Sequence, residues 1–269
     1  MMKIAVCVKS VPDPEYYEKI TLDPATKRLV RDGIPAVIGE ADRHALEAAL
    51  ALRDENGGEI TVVSMGPPAA RRQLLEALAM GADRAFLISD RKVGGADTLA
   101  TSYTLSCLLA KTGTYDVILA GNESADGSTA HVPSQLGVWM GIAHAAGVVS
   151  VSSDDKGLIV TKEAEGGLAK YRLRTPCVVA VTPKANEVRF MDVRNILAAK
   201  EKELQVWSAA DVGNMDESFM GLAGSPSQNG EVFAIESSKN CRMLTGTESE
   251  IADQIVSIIS GNSKGGEEA

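Results

Sequence analysis

Two short stretches carry residue types that could grip a phosphate. Residues 94–98 read Gly-Gly-Ala-Asp-Thr, and residues 120–129 read Ala-Gly-Asn-Glu-Ser-Ala-Asp-Gly-Ser-Thr. In each, glycine precedes a carboxylate and then hydroxyls, just ahead of a helical pattern. Glycine lets a ligand approach the backbone, exposed amides and the positive end of a helix attract phosphate, and Ser and Thr add donors. The same spacing also suits plain N-capping by Asp97 and by Asp126 or Ser128. No acid and base pair can be assigned, so no residue is read as catalytic. GxxxxGK[ST] is absent, no GxGxxG follows the first strand, and there is no GxSxG. His44 and His144 read as ordinary helix residues, whereas His131 is placed to line a pocket. Cys7, Cys107, Cys177 and Cys241 are far apart, with no CxxC. That disfavours a zinc or iron–sulfur site and suggests buried thiols in a reducing cytoplasm.

Alternating strands and helices must position these loops. Strands are expected at 3–11, 59–65, 85–88 and 115–120, and helices at 40–56, 69–80, 98–110 and 128–142. The helix at 40–56 is rich in Ala, Leu, Glu and Arg, and Gly57-Gly58 stops it. A small hairpin is expected at 20–22 and 28–30 around Asp23-Pro24. Repeated strand–helix units imply an α/β fold with a doubly wound, mostly parallel sheet over roughly residues 1–190. Ligands of such sheets bind beyond the carboxyl ends of the strands. Strands at 148–151, 158–163 and 169–173 follow in quick succession, separated by turn residues. They read as a small antiparallel appendage, with 178–182 returning to the main sheet. Further on, 193–201 reads as a short helix and 204–207 as a strand. Residues 1–207 are expected to form the nucleotide-binding domain and 208–262 an extended C-terminal arm, with 263–269 a disordered tail. Ile251, Ile255, Ile258 and Ile259 make a helical stripe that a lone helix cannot bury, so the terminal helix is expected to dock on a partner.

The 269 residues are 45% hydrophobic, 23% charged and only 4% aromatic, so the core must be mainly Ala, Val, Ile and Leu. The formal net charge of -9, without a Lys/Arg block, argues against general binding to nucleic acid or anionic membranes. The longest weakly polar stretch, 137–151, contains His144 and several glycines and falls short of a membrane span. The N-terminal apolar run is too short for a signal peptide.

Several segments together resemble the β subunit of electron transfer flavoproteins, the FixA/EtfB family. They are KIAVCVKSVPD, ADRHALEAALALRD, VVSMGPPAARRQLLEALAMGADRAFLISD, AGNESADGSTAHVPSQLG and the run from EAEGGLAKYRLRTP to NILAAKEKEL. The likeness covers about residues 2–213 and continues more weakly beyond. It implies a heterodimer with a larger α subunit that holds an FAD. It also implies an adenine nucleotide bound by this chain. In one branch that nucleotide is a structural AMP. In the electron-bifurcating branch it is a second FAD, reduced by NADH, which passes one electron toward a dehydrogenase flavin and one to ferredoxin or flavodoxin. Residues 94–102, Gly-Gly-Ala-Asp-Thr-Leu-Ala-Thr-Ser, resemble the bifurcating branch and favour FAD. A flavin-free, nucleotide-sensing α/β protein is the remaining alternative.

Carried over by position, the resemblance puts Cys7, Val8, Lys9, Gly39, Asp42, Met65 and Gly66 at the nucleotide. To these it adds Gly94, Gly95, Ala96, Asp97, Thr98, Thr101 and Ser102. The last group is Gly121, Asn122, Glu123, Ser124, Asp126, Gly127, Ser128, Thr129, Ala130, His131 and Val132. Gly39-Glu40 replaces the Asn-Pro of many members, which sets Glu40 near the expected adenosine. The family also implies a recognition loop for acyl-CoA dehydrogenases or a lactate-dehydrogenase-type flavoprotein. By position its tip is Val193, flanked by Met191 and Arg194.

Overall fold

The computed structural model describes residues 1–22, 29–30, 33–228, 241 and 243–260. It comprises two compact units, Met1–Val232 and Phe233–Ala269. The first unit opens with β1 (Met2–Cys7), β2 (Ser10–Pro12), β3 (Thr21–Leu22), β4 (Leu29–Val30), β5 (Ala36–Ile38) and α1 (Glu40–Asn56). There follow β6 (Gly58–Met65), α2 (Arg71–Met80), β7 (Arg84–Ile88), α3 (Thr98–Thr112), β8 (Val117–Gly121) and α4 (Val132–Met140). Next come β9 (Ala143–Asp154), β10 (Gly157–Ala164), β11 (Gly167–Leu173), β12 (Cys177–Val181), α5 (Val193–Ala198), β13 (Glu203–Trp207) and α6 (Ala209–Val212).

Among the described residues nine strands form one sheet in the order β11-β10-β9-β12-β8-β1-β6-β7-β13. All neighbours are parallel except β9–β10 and β10–β11. The antiparallel strands therefore extend the main sheet, because β9 pairs with β12 on one side and β10 on the other. From β1 the chain adds β6 and β7 on one side and then β8 on the other, so strand order reverses between β1 and β8.

Alternate strand residues face opposite layers. Ile4, Val6, Val62, Leu87 and Leu119 pack with Leu46 and Leu50 of α1 and Leu74 and Leu78 of α2. Ala5, Val63, Phe86, Ile88 and Ile118 pack with Leu105, Leu108 and Leu109 of α3 and Leu136 of α4. Burial of each large aliphatic side chain contributes about 1.5–3 kcal/mol, so the two layers dominate the fold's stability.

Several expectations need correction. The first strand does not run through 3–11. After Val8 donates to Val63 O, the chain turns, and Ser10–Pro12 pairs antiparallel with β5; Pro12 lacks the N–H a central strand requires. The helix expected from 128 begins at Val132, because Ser128 and Ala130 adopt positive φ values of 45° and 54°. His144 lies in β9, beyond the helix stop at Gly141. The hairpin pairs as expected, Thr21 with Val30 and Leu22 with Leu29; its 23–26 turn lies outside the described residues. Residues 209–228, expected in the arm, belong to the first unit. The second unit contains α7 (Glu248–Ile259), closed by a Thr247/Glu250 capping box, and none of its residues is buried. The 263–269 tail lies outside the described residues. Cys7 and Cys177 are buried thiols, whereas Cys107 is half-buried and Cys241 exposed. Among the described residues no helix is long and apolar enough to cross a membrane.

Candidate functional site

Four strand ends converge on a cleft of about 1530 Å³. Cys7, Val8 and Lys9 enter it from β1, Met65 and Gly66 from β6, and Gly94–Gly95–Ala96–Asp97 with Thr98 and Thr101 from the β7–α3 connection. Gly121, Asn122, Glu123, Ser124, Asp126, Gly127, Thr129, Ala130, His131 and Val132 enter from the β8–α4 connection. Asp42 joins them from α1. Gly39 and Ser102 do not line the cleft. Gly39 precedes α1 behind Asp42, and the buried Ser102 hydroxyl donates to Leu99 O and accepts from Trp139 Nε1. Ser128 and the exposed Glu40 are likewise outside the lining.

Asp42 is the central fastening. Its Oδ2 accepts the Lys9 amide at 2.8 Å and its Oδ1 the Gly121 amide at 2.9 Å, joining the ends of β1 and β8 where strand order reverses. A Cβ at Gly121 would lie 2.8 Å from the Asp42 backbone nitrogen, so only glycine permits this approach. Burial pushes the Asp42 carboxyl up to about 6, against the two amides and the Lys9 charge, which lower it. Burial, helped by the Asp42 charge, pushes the neighbouring Cys7 thiol up to about 12. Cys7 is therefore a protonated wall of the cleft and not a nucleophile. Lys9 Nζ bonds Asp126 Oδ1 at 2.6 Å and Ser124 Oγ at 3.1 Å, linking the β1 end to the second glycine loop. Asn122 secures that loop's base by donating to Val181 O and accepting from the Gly147 amide. His131 Nδ1 contacts Thr129 O within the same loop.

Asp97 caps α3. Its Oδ1 accepts from Leu99 and Ala100, and its Oδ2 accepts from Ser227. With three amides on it, this carboxylate is committed to the protein. The amides of Gly95, Ala96 and Thr98 make no hydrogen bond among the described residues, and all three residues line the cleft. A 15-residue helix starting there presents the positive end that favours an anion. Sequence reasoning missed Asp90, Arg91, Gln135, Pro226 and Ser227 as lining residues. The last two arrive through contacts across some 130 residues of chain, and no local pattern signals them.

A second feature lies on α1. His44 Nδ1 and Asn186 Oδ1 are 2.9 Å apart, and Asn186 Nδ2 donates to His44 O. Arg189 donates through Nε and Nη2 to Glu47 and through Nη1 to Asp54. These contacts hold the base of the 190–198 segment against α1. Its apolar side chains Phe190, Met191, Val193, Ile196 and Leu197 are exposed. Val193 is 69% exposed, so it does not pack beneath the following helix. Asp192 caps α5 and pairs with Arg194 at 3.0 Å, leaving charge beside the apolar residues.

The architecture defines a doubly wound α/β protein with its cleft at the switch point, where such folds take ligands. Comparison with known proteins narrows this. Residues 26–212 match the electron transfer flavoprotein domain. The chain is 41% identical over 227 residues to the electron transfer flavoprotein subunit beta of Clostridium acetobutylicum, covering 84% of this chain and 86% of that protein. It is 39% identical over 258 residues to the caffeyl-CoA reductase-Etf complex subunit CarD of Acetobacterium woodii, covering 95% and 97%. It is 38% identical over 266 residues to protein FixA of Azorhizobium caulinodans, covering 96% and 94%. The chain belongs to the electron transfer flavoprotein family, in its β-subunit and FixA branch.

Proposed function

We propose that this chain is the β subunit of a heterodimeric electron transfer flavoprotein, that its cleft holds FAD, and that the complex bifurcates electrons from NADH. A larger α subunit carries the other FAD. The electrons pass to ferredoxin or flavodoxin and to a dehydrogenase flavin. The observation that carries the reading is the extent of the cleft. It runs from Asp42 and Lys9 to the loop ahead of α3 and, as a half-open cleft, offers about 1530 Å³, beyond the ~300–1,000 Å³ of typical small-molecule sites. A mononucleotide needs one end of it; a dinucleotide needs both.

The residues present fit a dinucleotide. The open amides of Gly95, Ala96 and Thr98 and the Thr98 and Thr101 hydroxyls suit a pyrophosphate at the start of α3. Arg91 supplies positive charge on the lining, where Lys9 is paired with Asp126. Bound FAD would supply hydride and single-electron chemistry, and the protein's part is placement and tuning. Asp42 holds the strand ends in register, Asp97 fixes the start of α3, and the buried β1 and β8 termini exclude water from the cleft floor. The exposed 190–198 segment is the docking site for an acyl-CoA dehydrogenase or related flavoprotein, a reading supported by the relative named as part of a caffeyl-CoA reductase complex. An apolar tip rimmed by charge suits a transient interface. The apolar face of α7 is buried against the α subunit.

Nucleotides released from the purified heterodimer test this reading. Two FAD per heterodimer are expected, with flavin reduction by NADH in the absence of any dehydrogenase. One FAD plus one AMP would replace it with a non-bifurcating carrier in which AMP is structural.

A further inference from the structure

Residues 209–227 run back along the 89–97 loop and are tied to it repeatedly. The Ala209 amide donates to Asp90 Oδ2 at 3.1 Å, and Lys92 Nζ donates to Glu217. The Asp97 amide donates to Ser225 Oγ at 2.8 Å, and the Ser227 amide donates to Asp97 Oδ2 at 3.0 Å. Between these ties, Met220 is buried in the same layer as Phe86, Val93 and Leu105. Gly221, at φ 53°, brings backbone against backbone, since a Cβ there would lie 3.0 Å from Gly94 O. Ser225 is 5% exposed, and its hydroxyl both accepts and donates. It accepts from Asp97 and donates to Gly221 O at 2.6 Å, joining the turn to the loop. Pro226 and Ser227 then continue into the cleft wall.

The two ends of the cleft are thus built differently. The Lys9/Asp42 end is assembled from β1, α1 and β8, with no contribution from residues 220–227. The Gly94–Thr98 end contains two consecutive glycines, whose freedom makes a fixed shape entropically costly. It takes its fastening from the 220–227 turn. We infer that this turn, acting through Ser225 and Asp97, is a specificity element: it holds the α3 end of the cleft in the shape that admits the second half of a dinucleotide. Loosening the turn therefore weakens a dinucleotide, which spans both ends, and spares a mononucleotide held at the Lys9/Asp42 end. The inference rests on the reading of the cleft as a nucleotide site. Ser225 is a positioning residue and need not touch the ligand.

The test uses the full-length chain as wild type, Ser225→Ala and Asp97→Asn, titrated with FAD by flavin fluorescence and with AMP by calorimetry. Ser225→Ala removes the hydroxyl that bridges loop and turn. Asp97→Asn keeps a capping oxygen for Leu99 and Ala100 but opposes its amide to the Ser227 N–H. Losing such a buried partner corresponds to about a tenfold rise in Kd for FAD. The AMP Kd is expected to stay within about twofold, because its end of the cleft is untouched. A parallel weakening of both ligands, or an unchanged ratio of their Kd values in both variants, overturns the inference. The wild-type chain checks the underlying reading separately: FAD binding no tighter than AMP binding refutes the dinucleotide assignment. If Ser225→Ala fails to fold, Asp97→Asn alone decides.

Discussion

Replacing Asp42 by asparagine isolates the free energy stored at the junction of β1 and β8. Burial raises the Asp42 carboxyl from 3.8 to about 6 in the folded protein. The native state therefore holds this proton more tightly than the unfolded chain does. The resulting stability is fully present below the unfolded value near pH 4 and is lost as pH rises through 6. A shift from 3.8 to about 6 corresponds to about 3 kcal/mol over the whole window. About 2 kcal/mol of that falls between about pH 4 and pH 7.5. The side chain introduced by Asp42→Asn does not titrate. It keeps one acceptor for the Lys9 or Gly121 amide while leaving the other opposed to its NH2. That opposition costs about 1–3 kcal/mol at any pH. Urea unfolding of both proteins at the two pH values gives the difference, in which the remaining carboxylates cancel. At the lower pH the wild type should be the more stable by the sum of both effects. At the higher pH its advantage should shrink by about 2 kcal/mol. A stability difference that does not change with pH would show that Asp42 titrates as an ordinary carboxylate, and the argument from its burial would be wrong.

Three further outcomes are expected. Asp126→Ala removes the charged partner of Lys9 and should lower nucleotide occupancy in the purified heterodimer while changing stability by no more than about 1 kcal/mol; unchanged occupancy would detach the 121–132 loop from the site. Val193→Asp should slow electron transfer to the dehydrogenase, measured by stopped flow, with flavin content intact. Arg189→Ala leaves the largely buried Glu47 carboxylate without its guanidinium and should cost about 1.5–3 kcal/mol in urea unfolding, with faster amide exchange across 186–198.

Much of this fold is legible in composition and spacing. The helix over 40–56 and its glycine stop stand where the Ala, Leu and Glu pattern puts them. The parallel layers follow from strand–helix alternation, and the two glycine loops do meet at one cleft. What escapes has specific physical causes. The shortened α4 depends on Ser128 and Ala130 taking left-handed backbone, which neither residue type advertises. The turn of the chain after Lys9 is announced by Pro12 but overshadowed by the apolar run before it. Asp97 reads equally as a ligand group or a cap until Leu99, Ala100 and Ser227 are seen to saturate it. Pro226 and Ser227 carry no motif and reach the cleft because β13 joins the sheet beside β7 and the chain after it is tied to the 89–97 loop. The family resemblance supplies the position of the 190–198 segment; the Arg189 and Asn186 anchorage that holds its base has no signature in the sequence.

The strand order has a consequence for how the molecule is made. β1 precedes the other strands in the chain yet sits in the middle of the sheet, and its two neighbours, β6 and β8, are synthesised roughly 50 and 110 residues later. The last wall of the cleft, Pro226 and Ser227, emerges only after β13 has closed the far edge. A nascent polypeptide halted at residue 200 would own both glycine loops and yet lack the serine that pins one of them. Such a truncated product is left with a half-finished cleft, its Gly94–Thr98 end unfastened.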